Sequence, residues 1–234
     1  MSIIVVDQLE MIENRGLRIN LGKQSMVLVL LPERVVYIPS LNALLIADTH
    51  FGKAGHFRKA GIPIPEVLHD QDLKKLEKLI SSYQINDVYF LGDLFHSALN
   101  DSWWTLVEFS KQQINVKFHL IMGNHDILPL SFYQHDHWIV HEQGLILGDL
   151  ILTHEPLENI PRDLINLCGH IHPGFTLKGK GRQRITLPCF FYSNQRFVLP
   201  AFGRFTGLVS MKRTIDTQIY VIAEDRVVEI PQVL

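Results

Sequence analysis

The chain has 234 residues, 47% of them hydrophobic and 20% charged, with a formal net charge of −2. Such a composition supports a sizeable buried core and excludes a disordered, fibrous or low-complexity protein. The longest apolar run near the N-terminus, Met26 to Leu31, is closed by Pro32 and Glu33, well short of the roughly 20 residues of a membrane span; with no signal-peptide pattern before it, a cytoplasmic protein is expected.

Residues 1–40 alternate apolar runs (Ile3–Val6, Met26–Leu31, Val35–Ile38) with polar or proline-bounded breaks, which predicts strands that open a sheet or cover its edge. Asn42–Ala47 is the next strand, and Phe51–Pro65, rich in Gly, Lys, Arg and Pro, reads as a loop. Pro65 suits the first position of a helix whose face carries Val67, Leu68, Leu76, Leu79, Ile80 and Tyr83. The strand Ile85–Leu91 follows, then a helix from Asp101 or Ser102 to about Gln113 that buries Trp104, Val107 and neighbouring aromatics. Strands alternating with helices imply a parallel sheet in this half.

After Asp126 the units are shorter and strand-rich: His137–His141, Gly144–Leu147, Leu150–Thr153, Ile185–Phe191, Phe197–Leu199, Ile219–Ala223 and Val227–Ile230. They imply a mostly antiparallel sheet packed on the first, within one domain spanning residues 1–234. Cys168 and Cys189 sit in apolar surroundings and read as buried free thiols, at home in a reducing compartment.

Five strands end in polar clusters. Leu44–Ala47 runs into Asp48-Thr49-His50; Val88–Leu91 into Gly92-Asp93-Leu94-Phe95-His96; Phe118–Met122 into Gly123-Asn124-His125-Asp126; Leu150–Thr153 into His154; and Leu164–Cys168 into Gly169-His170-Ile171-His172. Ligand sites in open α/β sheets gather at the carboxyl ends of strands, so these ends should converge on one crevice. The nitrogen and oxygen donors delivered there, with no thiolate, suit Mn²⁺, Fe or Zn²⁺.

Asp-x-His, Gly-Asp-x-x-His, Gly-Asn-His-Asp, a lone His and Gly-His-x-His, in that order, resemble the calcineurin-like metallophosphoesterases. The long first motif, Ala47-Asp48-Thr49-His50-Phe51-Gly52-Lys53 with His56 to Pro63 behind it, is similar to the bacterial ligase-associated DNA-damage-response endonuclease branch, PdeM. The resemblance implies an α/β/β/α sandwich of two mixed sheets flanked by helices. It assigns Asp48, His50, Asp93 and His172 to one metal ion and Asp93, Asn124, His154 and His170 to the other, with Asp93 bridging and Mn²⁺ preferred. Two cations about 3.5–4 Å apart clamp a phosphate and turn water into hydroxide near neutral pH.

His125 matches the family histidine that faces the phosphate without binding metal; it would donate to a nonbridging oxygen or protonate the leaving oxygen, with Asp126 orienting it. His96 matches a position that separates branches, and Gly-Asp-Leu-Phe-His looks like the nuclease subunits of double-strand-break repair. The resemblance therefore implies a phosphodiester hydrolase acting on DNA in a repair setting, with a DNA ligase, a helicase and a further nuclease as partners. A small-molecule phosphodiesterase or nucleotide hydrolase, and a scaffold that has lost the chemistry, are the alternatives.

Charge adds an independent observation. From Leu164 to Ile215 there is no Asp or Glu, while Lys178, Lys180, Arg182, Arg184, Arg196, Arg204, Lys212 and Arg213 are all present. As a hairpin, Lys178 to Arg184 would project several charges beside the metals and hold a polyanion. Arg182 and Arg184, with Lys53, His56, Arg58 and Lys59 from the first motif's loop, are the candidate substrate contacts. The histidines outside the motifs, and Trp103, Trp104 and Phe109, are read as structural.

Overall fold

The structure, a computed structural model, describes residues 15–53, 67–96, 99–204 and 206–232. The expected strand at Ile3–Val6, most of the Phe51–Pro65 loop and the Pro65 helix start lie outside those residues.

The first sheet begins as a meander of β1 (Leu17–Leu21), β2 (Met26–Leu31), β3 (Val35–Ile38) and β4 (Ala43–Ile46), each antiparallel to the last. From β4 onward it is parallel, through β5 (Asp87–Leu91), β6 (Lys117–Ile121) and β7 (Trp138–His141). Helices α1 (Val67–Tyr83) and α2 (Asp101–Gln112) make the crossovers. The parallel strands read as continuous apolar runs because both faces are covered. Leu44, Ile46, Val88 and Phe90 pack with Leu73, Leu76, Leu79 and Ile80 of α1 and with α2. Their neighbours Leu45, Tyr89 and Leu91 face the second sheet.

Helix α2 starts at Asp101, one residue after its cap: the Asn100 side chain accepts from Ser102 N–H at 2.9 Å. Its buried stripe is Trp103, Leu106, Val107 and Ser110, spaced at three, one and three residues. Trp104 was expected in that stripe, but it lies about 100° around the helix from Trp103 and is 52% exposed.

β7 corrects a second expectation. It belongs to the first sheet, parallel to β6, and not to the strand-rich unit that follows. The second sheet holds β8 (Leu145–Leu147), β9 (Leu150–Leu152), β10 (Ile165–Cys168), β11 (Pro173–Lys178), β12 (Arg184–Ser193), β13 (Arg196–Val198), β14 (Val209–Ser210), β15 (Thr217–Ala223) and β16 (Arg226–Ile230). It too is mixed: β9, β10 and β13 run parallel, while the β11–β12 and β15–β16 hairpins are antiparallel.

The two mixed sheets pack face to face through Leu28, Leu30, Leu45 and Tyr89 on one side and Leu152, Leu167, Phe190, Phe197 and Tyr220 on the other. With helices on the outer face of the first sheet, this is the sandwich that the motifs imply. A smaller apolar cluster, Cys189, Ile219 and Val221, lies on the opposite side of the second sheet and draws on no helix. Both cysteines are free and buried, and burial pushes each thiol up to about 12. No helix among the described residues is long and apolar enough to cross a membrane.

Candidate metal centre

The carboxyl ends of β4, β5 and β6 and of the parallel pair β9–β10 meet at one place. Two first-sheet loops are zipped together: Asp48 N–H donates to Gly92 O (3.3 Å), His50 N–H to Asp93 O (2.9 Å), Phe51 N–H to Leu94 O (2.9 Å) and His96 N–H to Phe51 O (2.9 Å). The Thr49 hydroxyl adds a bond to Leu94 O at 2.8 Å. The second sheet closes on them where His170 N–H donates to both carboxylate oxygens of Asp48, at 3.1 and 2.9 Å. Donors therefore come from both sheets: Asp48, His50, Asp93 and Asn124 from the first, and His154, His170 and His172 from the second.

The backbone is bent to aim these side chains. Asp48 (φ 52°), His50 (φ 47°), Asp93 (φ 51°), His170 (φ 67°) and His172 (φ 53°) all adopt the left-handed region, which costs a non-glycine residue about 1–3 kcal/mol. Two glycines make room. Gly92, at φ 76°, lies where a Cβ would strike the His154 ring, and Gly203 lies where one would strike Thr49 O.

His154 shows what the arrangement is for. Its Nδ1 lies 2.9 Å from Leu91 O, an acceptor only, so Nδ1 carries the proton and Nε2 presents a lone pair. Around that lone pair stand Asn124 Oδ1 at 3.0 Å, His170 Nδ1 at 3.1 Å and Asp93 Oδ1 at 3.4 Å. On the other side His50 Nε2 lies 3.4 Å from His172 Nε2 and 3.8 Å from Asp93 Oδ2, and His172 Nε2 is 3.4 Å from Asp48 Oδ1. With the facing nitrogens of His50, His170 and His172 unprotonated, these electron-pair donors repel one another unless a cation sits among them. These spacings are those of neighbouring ligands around ions with metal–ligand distances of about 2.0–2.2 Å.

Asp48, His50 and His172 thus form one group able to hold a metal ion, and Asp48, Asp93 and His154 a second. Asp48 is common to both groups; one of its approaches to His154, 4.0 Å from Nδ1, meets an atom already bonded to Leu91 O. Asp93 also reaches both sides, with Oδ1 3.4 Å from His154 Nε2 and Oδ2 3.8 Å from His50 Nε2. Burial, reinforced by Lys53 and the nearby imidazoles, pushes His50 down to about 2, so its ring is neutral and free to coordinate.

His125 and His96 are drawn to the same place. Their rings lie 4.0 Å apart and stand 5.7 and 5.0 Å from the His50 ring, and His125 N–H donates to Asp93 Oδ1 at 2.9 Å. Asp126 does not orient His125 as expected. Its carboxylate is buried and accepts instead from Phe95 N–H (3.1 Å) and Gly123 N–H (2.9 Å), tying the loop after β5 to the loop after β6. The main-chain donors sit within reach and outcompete the ring. Burial raises Asp126 to about 7 against the effect of those two bonds.

Lys53 is half-buried at the centre. Burial lowers its pKa while the Asp93 and Asp48 carboxylates act the other way. His56, Arg58 and Lys59 lie outside the described residues. Arg182 and Arg184 lie at the exposed tip of the β11–β12 hairpin; β11 leaves directly from His172, and six residues of strand carry the tip about 20 Å away. The basic stretch does not form one face. Arg196 donates to Leu157 O and Glu158 O at 2.7 Å each, and Arg204 bonds Gln71 at 2.8 Å beside α1.

One element escaped the sequence: the loop Ala201–Arg204, which crosses from β13 so that Phe202 N–H donates to Ala47 O (2.9 Å) and Gly203 N–H to Asp48 O (3.2 Å). Gly203 in Ala201-Phe202-Gly203-Arg204 was its sole local signal, and it reads there as an ordinary turn residue.

The sandwich and its paired donor groups define a metal-dependent hydrolase of phosphoester bonds. A profile of the calcineurin-like phosphoesterases matches residues 41–174, more than half of the chain, and the chain belongs to that family. Among solved structures it is similar to a Pseudomonas putida nuclease, MPE, with 29% identity, a TM-score of 0.74, and coverage of 92% of this chain and 100% of that one. A phosphoesterase from E. coli, Yfce, matches at 12% identity and a TM-score of 0.43, over 80% of this chain and 97% of that one. No curated protein matches.

Proposed function

We propose that the chain is a two-metal phosphodiesterase whose substrate is DNA. The observation that carries this reading is the convergence of lone pairs on two adjacent points with Asp93 spanning them. Asp48, His50, Asp93 and His172 would hold one divalent ion, and Asp93, Asn124, His154 and His170 the other. Oxygen and imidazole donors favour Mn²⁺, with Fe or Zn²⁺ also suited. Bound there, the ions supply Lewis-acid stabilisation of phosphoryl charge and activation of the attacking water.

The chain's own residues do the rest. Leu91 O fixes the His154 tautomer. His125, its main chain anchored to Asp93, presents its ring to the phosphate and gives a proton to the leaving oxygen. His96 packs on that ring and limits its swing. Lys53 adds positive charge where the phosphate would lie. The diester assignment is supported by His96 in Gly-Asp-x-x-His and by the similarity to a Pseudomonas putida nuclease. A repair setting with ligase, helicase and nuclease partners is what the sequence resemblance implies, and the buried free thiols agree with a cytoplasmic, reducing compartment.

The test is Mn²⁺-dependent hydrolysis of an aryl phosphodiester beside the matching monoester, with His125→Ala as the control for contamination. Diester cleavage that falls at least about a hundredfold in the variant, with bound metal retained, is the expected result. Preference for the monoester, or a variant with a near-normal rate, would overturn the assignment.

A further inference from the structure

A second concentration of positive charge lies on the far side of the Ala201–Arg204 loop. A cleft of about 460 Å³ runs along α1 from Gln71 to Tyr83, lined by Arg15, Lys74, Lys75, Lys78 and Arg204 against a single carboxylate, Glu33. A second cleft of about 520 Å³ shares Arg15, Glu33, Lys75 and Arg204 and adds Arg34, but also Glu224 and Asp225. The positive excess therefore lies on the α1 side.

Some of this charge has structural work. Arg15 pairs with Glu33 at 2.8 Å. Asp72 lies 3.4 Å from Lys75 and 3.8 Å from Arg204. Lys74 and Lys78, one helical turn apart and both exposed, have no hydrogen bond or ion pair at their ammonium groups among the described residues. The cleft is also joined to the metal centre. Arg34 donates to Ala201 O (3.1 Å) and Gly203 O (3.4 Å), and Lys75 donates to Phe202 O (3.3 Å). The same Gly203 donates its N–H to Asp48 O at 3.2 Å.

We propose that this cleft is a track for single-stranded nucleic acid, holding phosphates of the strand that flanks the bond at the metal centre. The inference rests on the phosphodiester reading above. From Gln71 to Tyr83 the helix spans about 18 Å, longer than one phosphate group can use and suited to a run of nucleotides. Tyr83, half-buried in the lining, gives a base or sugar an aromatic surface that accepts any sequence. The unpaired lysines supply the sequence-independent attraction that makes such binding fall with salt. The hairpin tip at Lys178–Arg184 would reach only a strand extending about 20 Å from His172, whereas this cleft begins one loop away from Asp48.

The test measures binding by metal-free protein, so that it does not depend on turnover. Fluorescence anisotropy with a labelled oligothymidylate compares wild type, Lys74→Glu with Lys78→Glu, and Lys111→Glu with Lys117→Glu, which makes the same change in net charge elsewhere on the surface. The track variant should bind at least about tenfold more weakly, with a log–log salt slope shallower by about 1.4, two phosphates at about 0.7 each; the second variant should bind like wild type. Equal binding by all three proteins, or an equal loss in both variants, would overturn the track. So would polyglutamate displacing the oligonucleotide as well as unlabelled oligothymidylate does, an outcome that fits an acidic protein segment. Aryl diester hydrolysis on the same preparations separates the two readings. Wild type that binds through the track but cannot cleave the diester sinks the hydrolytic assignment alone; wild type that cleaves it while all three proteins bind alike sinks the track alone.

Discussion

Replacing Lys75 by methionine separates the energetic cost of a buried ammonium from the work it does. The side chain is only one-fifth exposed, and its amine lies 3.4 Å from Asp72, 3.3 Å from Phe202 O and 3.5 Å from the centre of the Phe202 ring. Burial outweighs the stabilising effect of Asp72 and pushes Lys75 down to about 8 from an ordinary 10.5. That difference corresponds to about 3 kcal/mol of folding free energy. Between pH 8 and 10.5 the unfolded chain binds the proton and the folded chain does not, so stability rises with pH across that window. Below pH 8 both forms are charged and the full cost is present. Urea unfolding of metal-free wild type and Lys75→Met, from pH 7 to 10.5, cancels every other titrating group in the difference. Wild type should gain about 3 kcal/mol on the variant as pH rises. Parallel pH profiles would refute the reasoning and show that the amine is solvated in the folded protein.

Two further substitutions probe the centre. Asp126→Ala orphans the Phe95 and Gly123 N–H groups at about 1–3 kcal/mol each, offset in part by removal of a buried carboxyl; chemical denaturation reads the net loss. A fully stable variant without turnover would instead return Asp126 to a role at the His125 ring. Asp93→Asn should bind less than the roughly two ions per chain of a two-metal site, read by elemental analysis after gel filtration, and undiminished metal would remove the spanning role.

The donors were legible in the sequence because each follows a short, largely buried apolar strand, and the abrupt change from apolar to polar marks the strand's carboxyl end. What carried no signal were relations between distant segments. Asp126 reads like a partner for its neighbour His125, but its acceptors serve a main-chain N–H at Phe95 and another at Gly123, and backbone donors leave no trace in residue identity. Trp103 and Trp104 are chemically alike, and only helix phase decides which is buried. β7 looks like its successors, but strand order is set by which edge is open once β6 is in place. The run from Lys178 to Arg184 is conspicuous because its charges are contiguous, whereas the cleft along α1 assembles Arg15, three lysines of one helix and Arg204, which no local pattern connects.

The split origin of the donors bears on when the chain becomes active. A nascent polypeptide that has made Asp48, His50, Asp93 and Asn124 still lacks His154, His170 and His172, so neither cluster is complete until second-sheet residues have been made and have docked. Ions that bind only the docked arrangement add stability to it, about 2.7 kcal/mol at a hundredfold excess over their dissociation constant. On the proposed function, a half-made chain on the ribosome would be inert toward phosphoesters, and the ions that complete the chemistry would also rivet the two halves together.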